Sequence, residues 1–265
     1  MSQASEARTS ALDRVLDRHD VAEGLSDEVF AVVDAIDASP MLRRTLSDPG
    51  SDPQNRKEFA QAVLGGKVSQ PVIGLVSDAA ALRWSSGSAF VAALERQGIR
   101  AELRQADLGG GLADVEDELF RFARLVEGQP EVRNSLADRT VPVEVRRDLV
   151  SDLLQGKVGP STAKLARRAV AARERTFGRT IDSYVALAAE QRQRAIATVR
   201  VARPLDAGQV DRLTAALSRQ AGRPIAVQVV VDPQVLGGVR VELGDQVIEG
   251  TVAGRLDTAH RLLSE

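Results

Sequence analysis

Apolar residues recur at helical spacing through most of the chain. Leu25, Val29, Val32 and Ile36 step by four, three and four, and so do Val115, Leu119, Phe122 and Val126. That rhythm puts each set on one side of a helix with 3.6 residues per turn. The two sets also lie 90 positions apart. Laid over each other without a gap, Glu28–Val68 and Glu118–Val158 agree at Glu28/Glu118, Phe30/Phe120, Pro40/Pro130, Arg43/Arg133, Leu46/Leu136, Asp48/Asp138, Arg56/Arg146 and Leu64/Leu154. The agreement continues through Gly66-Lys67-Val68 and Gly156-Lys157-Val158. One helical unit therefore occurs twice.

Each copy reads as a run of short helices. The acidic helix ends before Pro40 or Pro130, a short helical turn carries Leu46 or Leu136, and a loop follows. Pro53 or Pro142 suits that loop or the first turn beyond it, where a missing N–H costs least. The next helix buries Phe59, Val63 and Leu64, or Leu149, Leu153 and Leu154, and stops at Gly66 or Gly156. A further helix carries Ile73, Val76 and Ala80, or Ala163, Ala166 and Val170. From Ser85 a helix with Phe90, Val91 and Leu94 on one side leads to Gly109-Gly110-Gly111. A triple glycine can cradle phosphate, but Asp114, Glu116, Asp117 and Glu118 follow it and would repel an anion, so a hinge is expected.

Beyond the repeat the period changes. Thr176 to Val199 reads as a long helix with Ile181, Tyr184, Val185 and Ala188 on its apolar side, overlapping a candidate strand at Ala195–Val201. Asp206 can cap a helix bearing Val210, Leu213 and Leu217, and Ile225–Val231 is a second candidate strand. Val239, Val241 and Leu243 alternate onto one face of a third strand, which returns at Val247 after Gly244-Asp245. A Gly-X pair between two such runs signals a two-residue hairpin, with glycine supplying the positive φ. Gly237-Gly238 allows a tight reversal before it, and Val252, Leu256, Ala259 and Leu263 fall at helical spacing after it. The expected fold is mainly α: a duplicated N-terminal helical bundle (1–87 and 88–194), then a small α/β C-terminal domain (195–265) whose β-hairpin sheet is covered by two helices.

Composition narrows the chemistry. Aromatic residues make up 3% of 265 positions, so aliphatic side chains must build the core and helix-on-helix packing is favoured. Lysine and arginine total 35 against 37 acids, which argues against a generic nucleic-acid binder. With no cysteine, disulfides and thiolate metal sites are excluded. His19 and His260 fall in different modules, so zinc-ligand spacing is absent. LGGVRV lacks the lysine and Ser/Thr of a phosphate-binding loop, and no nucleophile-base pair stands out, so no catalytic residue, cofactor or metal is expected. No window offers the roughly 18 uncharged apolar residues of a membrane span, and the charged N-terminus lacks the apolar core of a secretion signal. Membrane association is expected only through partners. Ten basic residues against three acids between Lys164 and Arg203 form either a solvated face or a docking surface for an acidic helix.

The terminal order DPxxLGGVRVxxGDxVIxGTVxGRL, filled by Asp232, Pro233, Leu236, Gly237, Gly238, Val239, Arg240, Val241, Gly244, Asp245, Val247, Ile248, Gly250, Thr251, Gly254, Arg255 and Leu256, resembles the signature of the delta subunit of bacterial ATP synthases. That family is the counterpart of the mitochondrial oligomycin-sensitivity-conferring protein. The Pro–LxxxLxD–loop–helix–GKV–helix order resembles the family's N-terminal helical domain, and two copies depart from its ordinary single-copy pattern, as in long actinobacterial forms. The resemblance implies a non-catalytic stator subunit, peripheral on the cytoplasmic face of the plasma membrane. Its helical region would pack on N-terminal helices of alpha subunits, and its C-terminal unit would hold the C-terminal region of the peripheral-stalk b subunit. For the first contact the candidates are Ile73, Val76, Ala80, Phe90, Leu94, Ala163, Ala166 and Val170. For the second they are Val252, Leu256 and Leu263, with Gly237, Gly238, Gly244 and Asp245 as structural turns. The alternatives are a free-standing helical-repeat adaptor and an enzyme with a phosphate site at the Gly-Gly turn.

Overall fold

A computed structural model describes residues 3–17, 22–172, 176–194, 196–222, 225–232, 235, 238–243 and 246–251. The described chain runs α1 (Gln3–Asp17), α2 (Leu25–Ala38), α3 (Pro40–Ser47), α4 (Pro53–Leu64), α5 (Gln70–Ala81) and α6 (Gly87–Leu108). It continues through α7 (Leu112–Gly128), α8 (Pro130–Ala137), α9 (Val143–Leu154), α10 (Pro160–Ala169) and α11 (Phe177–Arg194). β1 (Ile196–Val201), α12 (Ala207–Ala221), β2 (Ala226–Val231), β3 (Gly238–Leu243) and β4 (Gln246–Thr251) follow. The mainly α fold with a small α/β C-terminal region is as expected from the sequence.

The repeat extends past the identical residues into the geometry. α3, α4, α5 and α6 begin 90 positions before α8, α9, α10 and α11. Glu28 shows why its type recurs: its carboxylate accepts from the Ser69 N–H at 2.8 Å, at the start of α5. Glu118 accepts from the Gly159 N–H at 3.0 Å and the Thr162 hydroxyl, at the start of α10. Each glutamate thus satisfies a donor that the helix start leaves open and places negative charge at the positive end of the dipole. Asp48 and Asp138 hold the matching loops by accepting from the N–H groups of Gly50 and Thr140. Gly66 and Gly156 take φ values of 71° and 69°, a left-handed conformation that ends α4 and α9 without a Cβ clash.

α6 belongs to both copies. Phe90, Ala93, Leu94 and Ala101 join the core of α1–α5, while Ile99, Leu103 and Ala106 join the core of α7–α11. α1 lies on α5 and α6 in the way that α6 lies on α10 and α11. Two six-helix bundles, α1–α6 and α6–α11, therefore share one helix. At Gly109-Gly110-Gly111 the chain turns tightly: Gly111 N–H donates to the Ala106 carbonyl at 2.9 Å and Gly110 takes φ 74°.

α1 escaped the sequence reading, because its charged surface hides an apolar side built from Leu12 and Leu16. The long helix expected to Val199 instead ends at Arg194, where alternation takes over and β1 begins. Asp206 caps α12 in a capping box with Gln209, as expected. The sheet order is β2-β1-β3-β4, with β1 parallel to β2 through the α12 crossover and antiparallel to β3. Ala197, Val199, Val201 and Val241 meet Leu217 and Ile225 in a third, aliphatic core. In the hairpin Val241 faces Ile248 and Leu243 faces Gln246. Gly238 has φ 82°, whereas Gly237, Gly244 and Asp245 lie outside the described residues, as does the helix expected to follow the hairpin.

Candidate docking surfaces

The apolar residues proposed for the head contact are spent inside the protein. Ile73, Val76, Ala80, Phe90, Leu94, Ala166 and Val170 are all buried, and Ala163 is half-buried. Helical spacing shows which side of a helix is covered but not what covers it, and here the cover is the chain's own bundles. In this conformation the buried side chains offer a partner no surface, and of the eight only Ala163 is partly accessible. Val252, Leu256 and Leu263 lie outside the described residues.

Several cations of the run from Lys164 are also engaged within the chain. Lys164 Nζ lies 2.9 Å from Asp27 and 3.0 Å from Glu102, and it reaches the Ser26 hydroxyl. Arg168 forks onto both Glu95 oxygens at 2.7 and 2.6 Å, reaches Asp34 at 2.8 Å, and lays its guanidinium over the Phe30 ring at 4.7 Å. Burial alone would push both cations toward the neutral form. The carboxylates of Asp27 and Glu102 around Lys164, and of Glu95 and Asp34 around Arg168, outweigh it and raise both pKa values. Arg192 meets Glu116 and Arg200 meets Glu242. The charges of α10 thus hold copy two against α2 of copy one, a use that the one-dimensional charge count could not reveal.

α2 seats here because α6 carries Gly98 beneath Phe30. A Cβ built on Gly98 would stand 2.5 Å from Phe30 Cε1. At the matching position of α11 stands Ala188, and the matching aromatic, Phe120, is 49% exposed. Arg124 on the same helix lies over the Phe120 ring at 5.5 Å and pairs with Glu127 and Asp182. Copy one thus has its Phe face covered by the next bundle, and copy two has the same face open.

An open cleft of about 400 Å³ between α3 and the start of α6 is lined by Pro40, Arg43, Arg44, Ser47, Trp84 and Gly87. Its polar groups serve the fold: Arg43 pairs with Asp37, the Ser47 hydroxyl donates to the Arg43 carbonyl, and Ser86 caps α6. Among the described residues no cluster of His, Cys, Asp or Glu is arranged to hold a metal ion, and no helix is long and apolar enough to cross a membrane.

Residues 100–263 match a family described as ATP synthase delta (OSCP) subunit. That match opens inside α6, takes in α7–α11 and the sheet, and leaves most of copy one ahead of it. Longer relatives span both copies. The ATP synthase subunit delta of Kineococcus radiotolerans is 41% identical over 266 residues, covering 98% of this chain and 96% of that protein. The subunit of the same name from Parafrankia sp. is 42% identical over 241 residues, covering 91% and 86%. That of Cutibacterium acnes is 42% identical over 252 residues, covering 95% and 96%.

Proposed function

The chain belongs to the ATP synthase delta (OSCP) subunit family, and from that premise we propose that it is a peripheral-stalk subunit of a proton-translocating ATP synthase. The observation that carries this reading is identity with delta subunits along nearly the whole chain, both helical copies included. The physical task is mechanical. A turning central rotor delivers work to the nucleotide sites only if the catalytic head is held against rotation, so a tether between head and membrane sector is required.

Helical bundles with satisfied helix ends and ion-locked seams suit that task, because a tether works by not yielding. The helical copies would hold N-terminal helices of alpha subunits by helix-on-helix packing. The C-terminal α/β unit, with Val252, Leu256 and Leu263, would hold the C-terminal region of the b subunit. The protein would then sit peripherally on the cytoplasmic face of the membrane, through partners alone. Purified chain mixed with the delta-free head and with the soluble part of b, followed by size-exclusion chromatography, tests the reading. Both should co-elute with the full chain, and truncation after Leu205 should abolish b binding while head binding persists. A full chain that captures neither refutes it.

A further inference from the structure

An open sheet has two edge strands, and each presents a row of unpaired N–H and C=O groups to any extended chain that meets it. In the order β2-β1-β3-β4 those edges are β4 and β2. β4 is blunted, because Glu249 and Gly250 stand within it, and a charge and a glycine both weaken strand pairing. β2 has no such guard. Ala226–Val231 reads AVQVVV, four valines with no charge, proline or glycine among them. Gln228 is exposed, and so is Val231 at 48%. On its inner side β2 bonds to β1, and the Asp232 N–H continues that ladder by donating to the Val201 carbonyl at 2.8 Å. Backbone groups alternate in direction along a strand, so Gln228 and Val230 also face β1, while Val227, Val229 and Val231 turn their N–H and C=O outward. Among the described residues no strand meets them.

We infer that the outer edge of β2 is a self-pairing surface, which takes β2 of a second copy of this chain, antiparallel and about a two-fold axis. Charge and register select that occupant. A strand without charge meets an identical strand without repulsion. Val227 and Val229 pack with the aliphatic core on one face of the sheet, and alternation puts Val231 on that face and Gln228 and Val230 on the other. Residues directly opposite each other in an antiparallel pair share a face, and a two-fold axis normal to the sheet maps each face onto itself. The register centred on Val229 obeys both conditions and pairs every outward residue: Val229 meets Val229 of the second copy, and Val227 meets Val231. Each of these pairs exchanges both of its backbone hydrogen bonds. The product is a continuous sheet of eight strands, four from each copy, with its apolar face unbroken across the junction. On the other face Gln228 stands opposite Val230 of the second copy, a pair without backbone hydrogen bonds.

The test uses the full chain alone. Sedimentation velocity at rising concentration should show monomer passing to dimer in the micromolar range, as a small interface gives. Val229→Pro removes an N–H that points away from β1, so the fold should persist while the dimer is lost. Gln228→Lys and Gln228→Glu, which bring like charges within about 8 Å across the axis, should each weaken self-association about threefold, and an equimolar mixture of the two should restore it. Because the chain has no cysteine, added thiols read the register. Gln228→Cys and Val230→Cys chains, mixed and oxidised, should join to each other faster than either joins to itself, since only the mixed pair comes within disulfide range. Wild-type chain that stays monomeric throughout overturns the inference, as does folded Val229→Pro chain that pairs like wild type. Equal cross-linking in all three combinations places the contact elsewhere and overturns it too. Neither head nor b enters these measurements, so their outcome leaves the stator reading where it stands.

Discussion

At matched positions of the two helical copies Phe30 is buried and Phe120 is half exposed, and the difference lies in the neighbours more than in the helices that carry them. Phe30 has Gly98 beneath it and Arg168 of the next bundle above it; Phe120 has Arg124, from its own helix, above it. Sequence identity within a repeat therefore does not settle what covers a unit's outer face, which depends on the neighbouring unit. The largest effect that can sharpen this contrast is truncation of the two rings. Phe30→Ala should cost about 3–5 kcal/mol, since a buried aromatic leaves a cavity. Phe120→Ala should stay within about 0.5 kcal/mol, as an exposed position does. Urea unfolding of the full chain measures both, and equal costs would erase the distinction between the copies.

The seam itself comes next. Arg168 is 8% exposed, yet its partner Asp34 is 52% exposed, so water shares part of the load. Arg168→Ala would strand Glu95 and remove the cover from Phe30. The expected cost is about 2–3 kcal/mol, below the full penalty for a completely buried pair because of that solvent screening. Arg168→Lys keeps the charge but loses the fork onto Glu95 and should recover no more than half of the loss. Full recovery would mean that charge alone, without the planar geometry, joins the copies.

These two pairs also show what could be read in one dimension. The 90-residue offset, the turn glycines Gly66 and Gly156, the Asp206 cap and the hairpin strands were legible because each is a local signal or a direct self-comparison. The sharing of α6 was not, because an apolar stripe such as Phe90 with Leu94 does not say that Ile99 and Leu103, a turn or two later, enter a different core. For the same reason Ile73, Val76 and Ala166 looked like contact residues and proved to be covered. The basic count around Lys164 and Arg168 described composition correctly, but its partners Asp27 and Asp34 lie more than 130 positions away. The place of β1 between β2 and β3 likewise depends on nonlocal pairing that no short window contains.

A smaller effect probes the fit between α2 and α6. Gly98→Ala adds a methyl group where only 2.5 Å separates it from the Phe30 ring. Overpacking costs about 1–3 kcal/mol, and the better helix propensity of alanine returns about 1, so a net loss of about 1 kcal/mol or somewhat more is expected. In Phe30→Ala the ring is gone and the milder contact with Val29 Cγ1 at 3.1 Å remains, so the same Gly98→Ala change should become stabilising. A double-mutant cycle in urea reads that reversal directly, and additive effects would show that the ring and the glycine are not coupled.

The smallest effect separates the two ends of α6 by pH. At copy one, Asp13 of α1 is almost wholly buried and receives Gln97 at 2.8 Å, Arg96 at 3.1 Å and Arg100 at 3.1 Å. At copy two the corresponding residue is Leu103, fully buried, and the charges of that seam lie nearer its surface, in the Arg96–Glu190 pair and in Asp107, which accepts from Gln191. Burial pushes the Asp13 carboxyl up, but Arg100 and the hydrogen bonds from Gln97 and Arg96 outweigh it and hold it below the ordinary 3.8. A carboxylate whose folded value is depressed stabilises the fold above its unfolded value and loses that contribution as pH falls through the folded one. The gap in stability between wild type and Asp13→Asn, about 1 kcal/mol, should thus be constant from pH 7 to about 5 and shrink below about 4. Hydrogen exchange at acid pH should show α1 opening before α11, since the α1–α6 seam centres on a buried carboxylate and the α6–α11 seam on Leu103. A gap that persists unchanged to pH 2 would mean that the buried carboxyl serves as a neutral hydrogen-bonding group, and the contrast between the seam centred on Asp13 and the one centred on Leu103 would lose its electrostatic basis.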